Sequence, residues 1–131
     1  EVTARPASRY VAQLVGVNVL FGTASGRHTV RLDTGGELTL ADALPAAEVA
    51  IALRPQAIAL HTHRPDGSPR NAWPAVVADV EADRDRVRVT LEGPVQATAE
   101  VTPAAMAQLD LVPGARVWAS AKAVDLVAYP R

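Results

Sequence analysis

The chain has 131 residues, enough for one ordinary domain or two very small modules, and its formal net charge is −1. Hydrophobic residues make up 49% and charged residues 21%, a balance typical of a globular rather than a disordered protein. The small net charge argues against binding to nucleic acid or to an anionic membrane through bulk charge. The absence of cysteine excludes disulfides, thiolate catalysis and Cys-ligated zinc. No apolar run reaches the roughly 18 to 20 residues of a membrane span, and the first residues given do not show the basic, apolar and small-residue pattern of a signal peptide.

Residues 1–18 predict a short amphipathic helix ahead of the first strand. Pro6 suits a first helical turn, apolar residues recur at helical spacing over residues 10–15, and Gly16 suits the end of the helix. The chain starts at Glu1 without methionine. We therefore expect an excised piece of a longer protein, with this helix as the tail of a preceding domain.

Residues 19–66 predict a first β module, because the apolar period changes to two. Two turn signals, Ser25-Gly26 and Gly35-Gly36, separate the apolar segments. The predicted strands cover Val19 to Phe21, His28 to Leu32, Glu37 to Leu40 and Val49 to Leu53, and a short apolar stretch follows from Ala57 to Leu60.

Residues 67–131 predict a second β module, set off by the turn formers of residues 63–69. Within it, Thr102 and Pro103 have the chemistry of an N-cap and a first helical position, so a short helix is expected over residues 104–109. The predicted strands cover Ala75 to Val80, Arg86 to Leu91, Val95 to Val101, Val117 to Ala121 and Val124 to Val127.

Many short strands, with turn signals roughly every 8–12 residues, are typical of small barrels. We predict an all-β fold of small OB-like barrels, built of short antiparallel strands with one or two short helices. The two modules are expected to be imperfect halves that lie side by side.

The sequence offers little catalytic chemistry. No Gly-rich phosphate loop with a following Lys-Ser or Lys-Thr is present. His61 and His63 would share a face of a strand, but no third ligand stands at convincing spacing for a metal. Acidic residues at 79, 81, 83 and 85 alternate with arginines in a pattern that favours a solvated hairpin over paired catalytic carboxylates. Aromatic residues are only 4% of the chain and none lies within a basic run, which argues against a single-stranded nucleic-acid site.

Three stretches of sequence together resemble one protein family. Residues 6–22 include P-A-S-R-Y-V-A-Q-L-V-G and N-V-L-F-G, and residues 53–60 read L-R-P-Q-A-I-A-L. Residues 68–71 read S-P-R-N and are continued by E-V-T at 100–102 and W-A-S-A-K-A at 118–123. The first two stretches are similar to the C-terminal region of ABC importer ATP-binding proteins. The third resembles the S-A-R-N opening of a Mop, or TOBE, module of the molybdate or tungstate type.

This resemblance implies an oxyanion site at Ser68, Arg70, Thr102, Lys122 and Ala123. Molybdate and tungstate carry two negative charges and only acceptor oxygens, so a selective site needs hydrogen-bond donors and a modest positive charge. Lys122, the only lysine of the chain, would supply that charge, unless it simply faces water. Thr102 would either donate its hydroxyl to the anion or only cap the helix. Backbone N–H groups near Ala123 would complete the shell.

Departures from the family pattern leave a second hypothesis open. Ala105 and Ala123 stand where serine is frequent, Pro69 removes a backbone N–H, and Ala75 replaces a usual glycine. The alternative is a regulatory module that dimerises importer ATPase subunits and binds no small ligand. An autonomous molybdenum-storage protein is a third, less favoured, hypothesis.

The resemblance also implies the setting in which the module works. It implies a homodimer through this domain, contact of the parent ATPase with membrane permease subunits, and a cytoplasmic location at the inner face of the membrane. ATP would bind only in the missing upstream domain, and the fragment itself is not expected to be an enzyme, to insert into a membrane or to bind nucleic acid. We expect Asn18 and Asn71 to satisfy backbone groups near the start of each module, and Trp73 and Trp118 to be core or interface residues.

Overall fold

The computed structural model describes residues 16–66 and 71–131, and these ranges contain ten β-strands, one α-helix and two short 3₁₀ turns. Residues 1–15 of the helix predicted over residues 1–18 lie outside the described residues. Gly16 has a φ of 84°, a left-handed conformation that favours glycine, and the chain turns there before the first strand.

The strands form two antiparallel sheets of five strands each. The first sheet contains β1 (Asn18–Ala24), β2 (Thr29–Leu32), β3 (Glu37–Thr39), β4 (Glu48–Leu53) and β10 (Val127–Pro130). The second sheet contains β5 (Ala59–His61), β6 (Asn71–Asp83), β7 (Arg86–Glu92), β8 (Ala97–Val101) and β9 (Arg116–Ala121). The strand orders are β10-β4-β1-β2-β3 and β5-β9-β6-β7-β8. The prediction of an all-β, OB-like fold with a short helix is confirmed.

The two sheets exchange their last strands. β5 follows β4 in the chain but pairs with β9 of the second sheet, while β10 follows β9 and pairs with β4 of the first sheet. A 3₁₀ turn directs each crossing: Pro55–Ala57 before β5 and Ala123–Asp125 before β10. The first half of the chain (residues 16–66) and the second half (residues 71–131) are therefore joined by backbone hydrogen bonds in both sheets.

The predicted strand over Val124 to Val127 is wrong. The N–H of Asp125 donates to the carbonyl of Lys122 at 3.0 Å, so this segment closes a 3₁₀ turn, and the strand starts only at Val127. Leu126 is buried below the turn while Val124 is 70% exposed. The apolar run therefore marks one buried anchor and one exposed side chain, not an alternating strand.

Two asparagines in equivalent positions tie the halves together. Matching β1–β4 with β6–β9 gives the same connectivity in each half, and Asn18 then corresponds to Asn71. Asn18 accepts from the N–H of Thr98 at 2.8 Å and donates to its carbonyl at 2.9 Å. Asn71 accepts from the N–H of Thr39 at 2.7 Å and donates to its carbonyl at 3.0 Å. The expectation that both amides satisfy backbone groups is confirmed, although each group lies on an edge strand of the opposite sheet and not in a nearby turn.

One hydrophobic core joins the inner faces of the two sheets. On β7 the side chains of Val87, Val89 and Leu91 are at most 1% exposed, and the residues between them are exposed, as the predicted alternation requires. Trp73 is 4% exposed and lies in this core, as expected, whereas Trp118 is half-buried. Burial of each such large side chain contributes about 1.5–3 kcal/mol.

The α-helix and the β6–β7 hairpin follow their local signals. Helix α1 (Pro103–Leu109) begins after Thr102, whose hydroxyl accepts from the N–H of Ala105 at 3.1 Å, and ends at Asp110 in the left-handed conformation. The acidic and arginine residues at 79–88 lie on the hairpin, whose turn includes Arg84 with a φ of 60°. These acidic side chains are exposed, as the prediction of a solvated hairpin requires.

Candidate functional site beside Lys122

Lys122 stands at the junction of β9 and the second 3₁₀ turn. β9 ends at Ala121, which pairs with Asn71 of β6, so the position of the chain is fixed up to the residue before Lys122. Lys122 has extended backbone angles and precedes the turn without capping it through its side chain. Its side chain is exposed, so the ammonium group is available to a ligand.

A cavity of about 710 Å³ opens next to Lys122. Its walls come from both halves of the chain: the end of β3 and the first 3₁₀ turn on one side, and the end of β9 and the second turn on the other. The lining residues are Thr39, Leu40, Ala41, Gln56, Ala57, Ala59, Ser120, Ala121, Lys122, Ala123, Val124 and Asp125.

Asn71 holds the two walls in register. Its amide bonds to both backbone groups of Thr39 on the β3 wall. The same Nδ2 atom donates to the carbonyl of Ala121, at 3.4 Å, on the β9 wall. Because Asn71 is only 4% exposed, these bonds are shielded from competing water and tie the two walls together.

Polar groups are few in this cavity, and the two charges have opposite sign. Lys122 supplies the positive charge and Asp125 the negative charge, and no carboxylate lies within 4.0 Å of the Lys122 ammonium in the described part of the chain. The Ser120 hydroxyl is 2.8 Å from Nε2 of His61 and forms a hydrogen bond with it. The remaining uncharged polar side chains of the lining are Thr39 and Gln56. Most of the wall is apolar.

The structure brings two of the five predicted site residues into this cavity. Lys122 and Ala123 line it, whereas Thr102 does not and instead caps helix α1. Ser68 and Arg70 lie outside the described residues.

Sequence reasoning missed Thr39, Gln56 and Asp125 as residues of the cavity wall. Asp125 lies three residues after Lys122, across the turn, and this spacing was a usable signal. Thr39 and Gln56 come from the other half of the chain, and no local pattern connects them to Lys122.

The histidines do not gather a metal-ligand set in the ranges 16–66 and 71–131. No group of three or more His, Cys, Asp or Glu side chains there could hold a metal ion. Within those same ranges, no helix has the length and apolar character that a membrane crossing requires.

Comparison with known proteins finds similarity to one domain family, which is confined to the second half of the chain. Residues 67–128 match the model of the TOBE domain family. The resemblance to importer ATP-binding proteins with such a module is confirmed by the relatives described next.

The chain is 34% identical, over 137 aligned positions, to the molybdenum import ATP-binding protein ModC from each of two strains of Mycobacterium tuberculosis. The alignment covers 99% of this chain but 37% of each relative, so the chain spans little more than a third of their length.

A solved structure shares the fold. A crystal form of the cytoplasmic molybdate-binding protein ModG with molybdate bound superimposes with a TM-score of 0.78 and 26% sequence identity. The match covers 91% of this chain and 99% of that chain. Both halves of the present fold therefore have counterparts in the ModG chain.

Proposed function

We propose that the chain is the regulatory domain of an ABC importer ATPase and that it binds a tetrahedral oxyanion, molybdate or tungstate, to control transport. The observation that carries the proposal is the position of Lys122 on the wall of the cavity. Similarity to ModC over 99% of the chain and to molybdate-bound ModG supports the choice of oxyanion.

The chemistry of the cavity suits an acceptor-only ligand at its Lys122 end. The ammonium group offers three donors and a full positive charge. The first N–H groups of a helical turn have no acceptor within the turn, so the N–H of Ala123 is a further donor close to Lys122. Ser68 and Arg70 complete the proposed shell with a hydroxyl and a guanidinium group.

Thr102 remains part of the proposed site. Its hydroxyl oxygen accepts the helix N–H of Ala105, but a hydroxyl has one proton to donate besides its acceptor lone pairs. The capping role and a bond to an anion are therefore compatible. Because Thr102 does not line the Lys122 cavity within one chain, we propose that the two meet across a contact between two copies.

The same proposal sets the partners and location. The domain forms a homodimer, and the parent ATPase contacts membrane permease subunits at the cytoplasmic face of the membrane. Exposed apolar side chains, Phe21 and Val127 among them, offer material for a contact between copies. The domain itself is regulatory and not catalytic, and ATP binds in the upstream domain.

A thermal-shift titration of the chain with molybdate, tungstate, sulfate and phosphate tests oxyanion binding. A ligand at 100-fold excess over its dissociation constant stabilises the native state by about 2.7 kcal/mol, so molybdate or tungstate should raise the melting temperature by several degrees. No shift with any of the four anions at millimolar concentration would contradict the proposal.

A second candidate function is a dimerisation module without a small ligand. It is favoured by the alanines at positions 105 and 123, which lack hydroxyl donors, and by the carboxylate of Asp125 in the cavity. Light scattering separates the two: a stable dimer that shows no thermal shift with any oxyanion supports this second function.

A further inference from the structure

Asp125 lines the same cavity as Lys122. Both residues line it, one at each end of the second 3₁₀ turn, and the N–H of Asp125 donates to the carbonyl of Lys122 at 3.0 Å. Asp125 is half-buried, and its carboxylate has no hydrogen bond or ion pair to any residue within 16–66 and 71–131. Its negative charge therefore has no partner of opposite charge in that part of the chain.

The turn does not need this carboxylate. The equivalent 3₁₀ turn of the first half has Ala57 where the second has Asp125, and Arg54 where the second has Lys122. The two backbone bonds have the same lengths in both turns: 3.0 Å for Ala57 to Arg54 and for Asp125 to Lys122, and 3.3 Å for the bond that follows each. Since alanine supports the same geometry, the backbone of the turn does not require the Asp125 carboxylate.

We propose that Asp125 sets the charge preference of the oxyanion site, lowering its affinity for doubly charged anions relative to singly charged anions of the same shape. This inference rests on the proposed oxyanion-binding function. An anion held at the Lys122 ammonium would occupy the cavity whose wall Asp125 also lines, three residues further along the chain. Coulomb repulsion is proportional to the charge of the anion, so a dianion is disfavoured by twice the energy that a monoanion is.

The test is the Asp125→Asn substitution, which removes the charge and keeps the size of the side chain. Molybdate serves as the tetrahedral dianion and perrhenate as the tetrahedral monoanion, with both affinities measured by titration calorimetry on the chain. We expect molybdate affinity to rise about five- to tenfold and perrhenate affinity only about two- to threefold. Asp85→Asn is the matched control, because Asp85 is an exposed residue of the β6–β7 turn that does not line the cavity.

The outcomes distinguish a failure of the charge preference assigned to Asp125 from a failure of the proposed oxyanion binding. Molybdate binding that tightens more than perrhenate binding in Asp125→Asn, with no such gain in Asp85→Asn, supports the inference. An equal gain for both anions in Asp125→Asn overturns it. Unchanged molybdate affinity in Asp125→Asn, or an equal gain in Asp85→Asn, overturns the inference and leaves the proposed function standing. Failure of the wild type and of both variants to bind either anion overturns the proposed function together with the inference.

Discussion

Single side chains connect the two halves of this chain, and the clearest are Asn18 and Asn71. The side-chain amide of each asparagine forms hydrogen bonds with both the N–H and the carbonyl of a threonine in the opposite half. An apolar or acidic residue of similar size could not form both bonds. Only Asn71 borders the Lys122 cavity through its partners Thr39 and Ala121. Substitutions at Asn18 and Asn71 should therefore both affect the stability of the fold, but only those at Asn71 should affect binding in the cavity.

We expect Asn71→Ala and Asn18→Ala each to lower the free energy of unfolding by about 1–3 kcal/mol, because a backbone N–H and carbonyl lose their partner. Urea denaturation measures this loss. Molybdate affinity should fall in Asn71→Ala, since the β3 wall is released, and should be kept in Asn18→Ala. Equal effects of the two variants on affinity would show that the wall held by Asn71 is not part of the site.

At the scale of elements, the sequence predicts local structure well and long-range pairing poorly. Alternation and turn residues locate β7 and its hairpin, and Thr102-Pro103 locates the start of helix α1, because these signals act within a few residues. The exchange of β5 and β10 joins segments such as Ala128 and Ile51, and nothing in either segment alone specifies its partner. For the same reason the sequence motif around Lys122 is enough to propose Lys122 as a site residue. The presence of Thr39 and Gln56 in the same cavity wall could not be predicted, because they come from distant segments of the chain.

Substitutions of Thr102, the N-cap of helix α1, test whether this residue also binds the anion. Thr102→Ala removes the N-cap hydroxyl and should lower the free energy of unfolding by about 1 kcal/mol, whereas Thr102→Ser keeps the hydroxyl and should cost much less. If Thr102 also donates to the anion, calorimetry will show weaker molybdate binding in Thr102→Ala and recovery in Thr102→Ser. Molybdate affinity that does not change in Thr102→Ala would assign the residue to capping alone.

At the scale of the whole molecule, the cavity is a product of both halves. The TOBE match covers residues 67–128, yet Thr39, Gln56 and Ala59 come from outside that range. The exchanged strands β5 and β10 and the shared core make the two sheets one cooperative unit. A ligand bound in this cavity would therefore contact residues of both halves.

We propose that Lys122 holds the oxyanion, and the direct test is calorimetric titration of molybdate into the wild type, Lys122→Ala and Lys122→Arg. Loss of a charge-assisted bond should weaken binding in Lys122→Ala by about 1.5–3 kcal/mol, roughly 10- to 100-fold, while the melting temperature without ligand stays unchanged because the side chain is exposed. Lys122→Arg should recover only part of the affinity, since a planar fork fits a point-charge site less well. Equal molybdate affinity in the wild type and Lys122→Ala would show that Lys122 does not hold the anion.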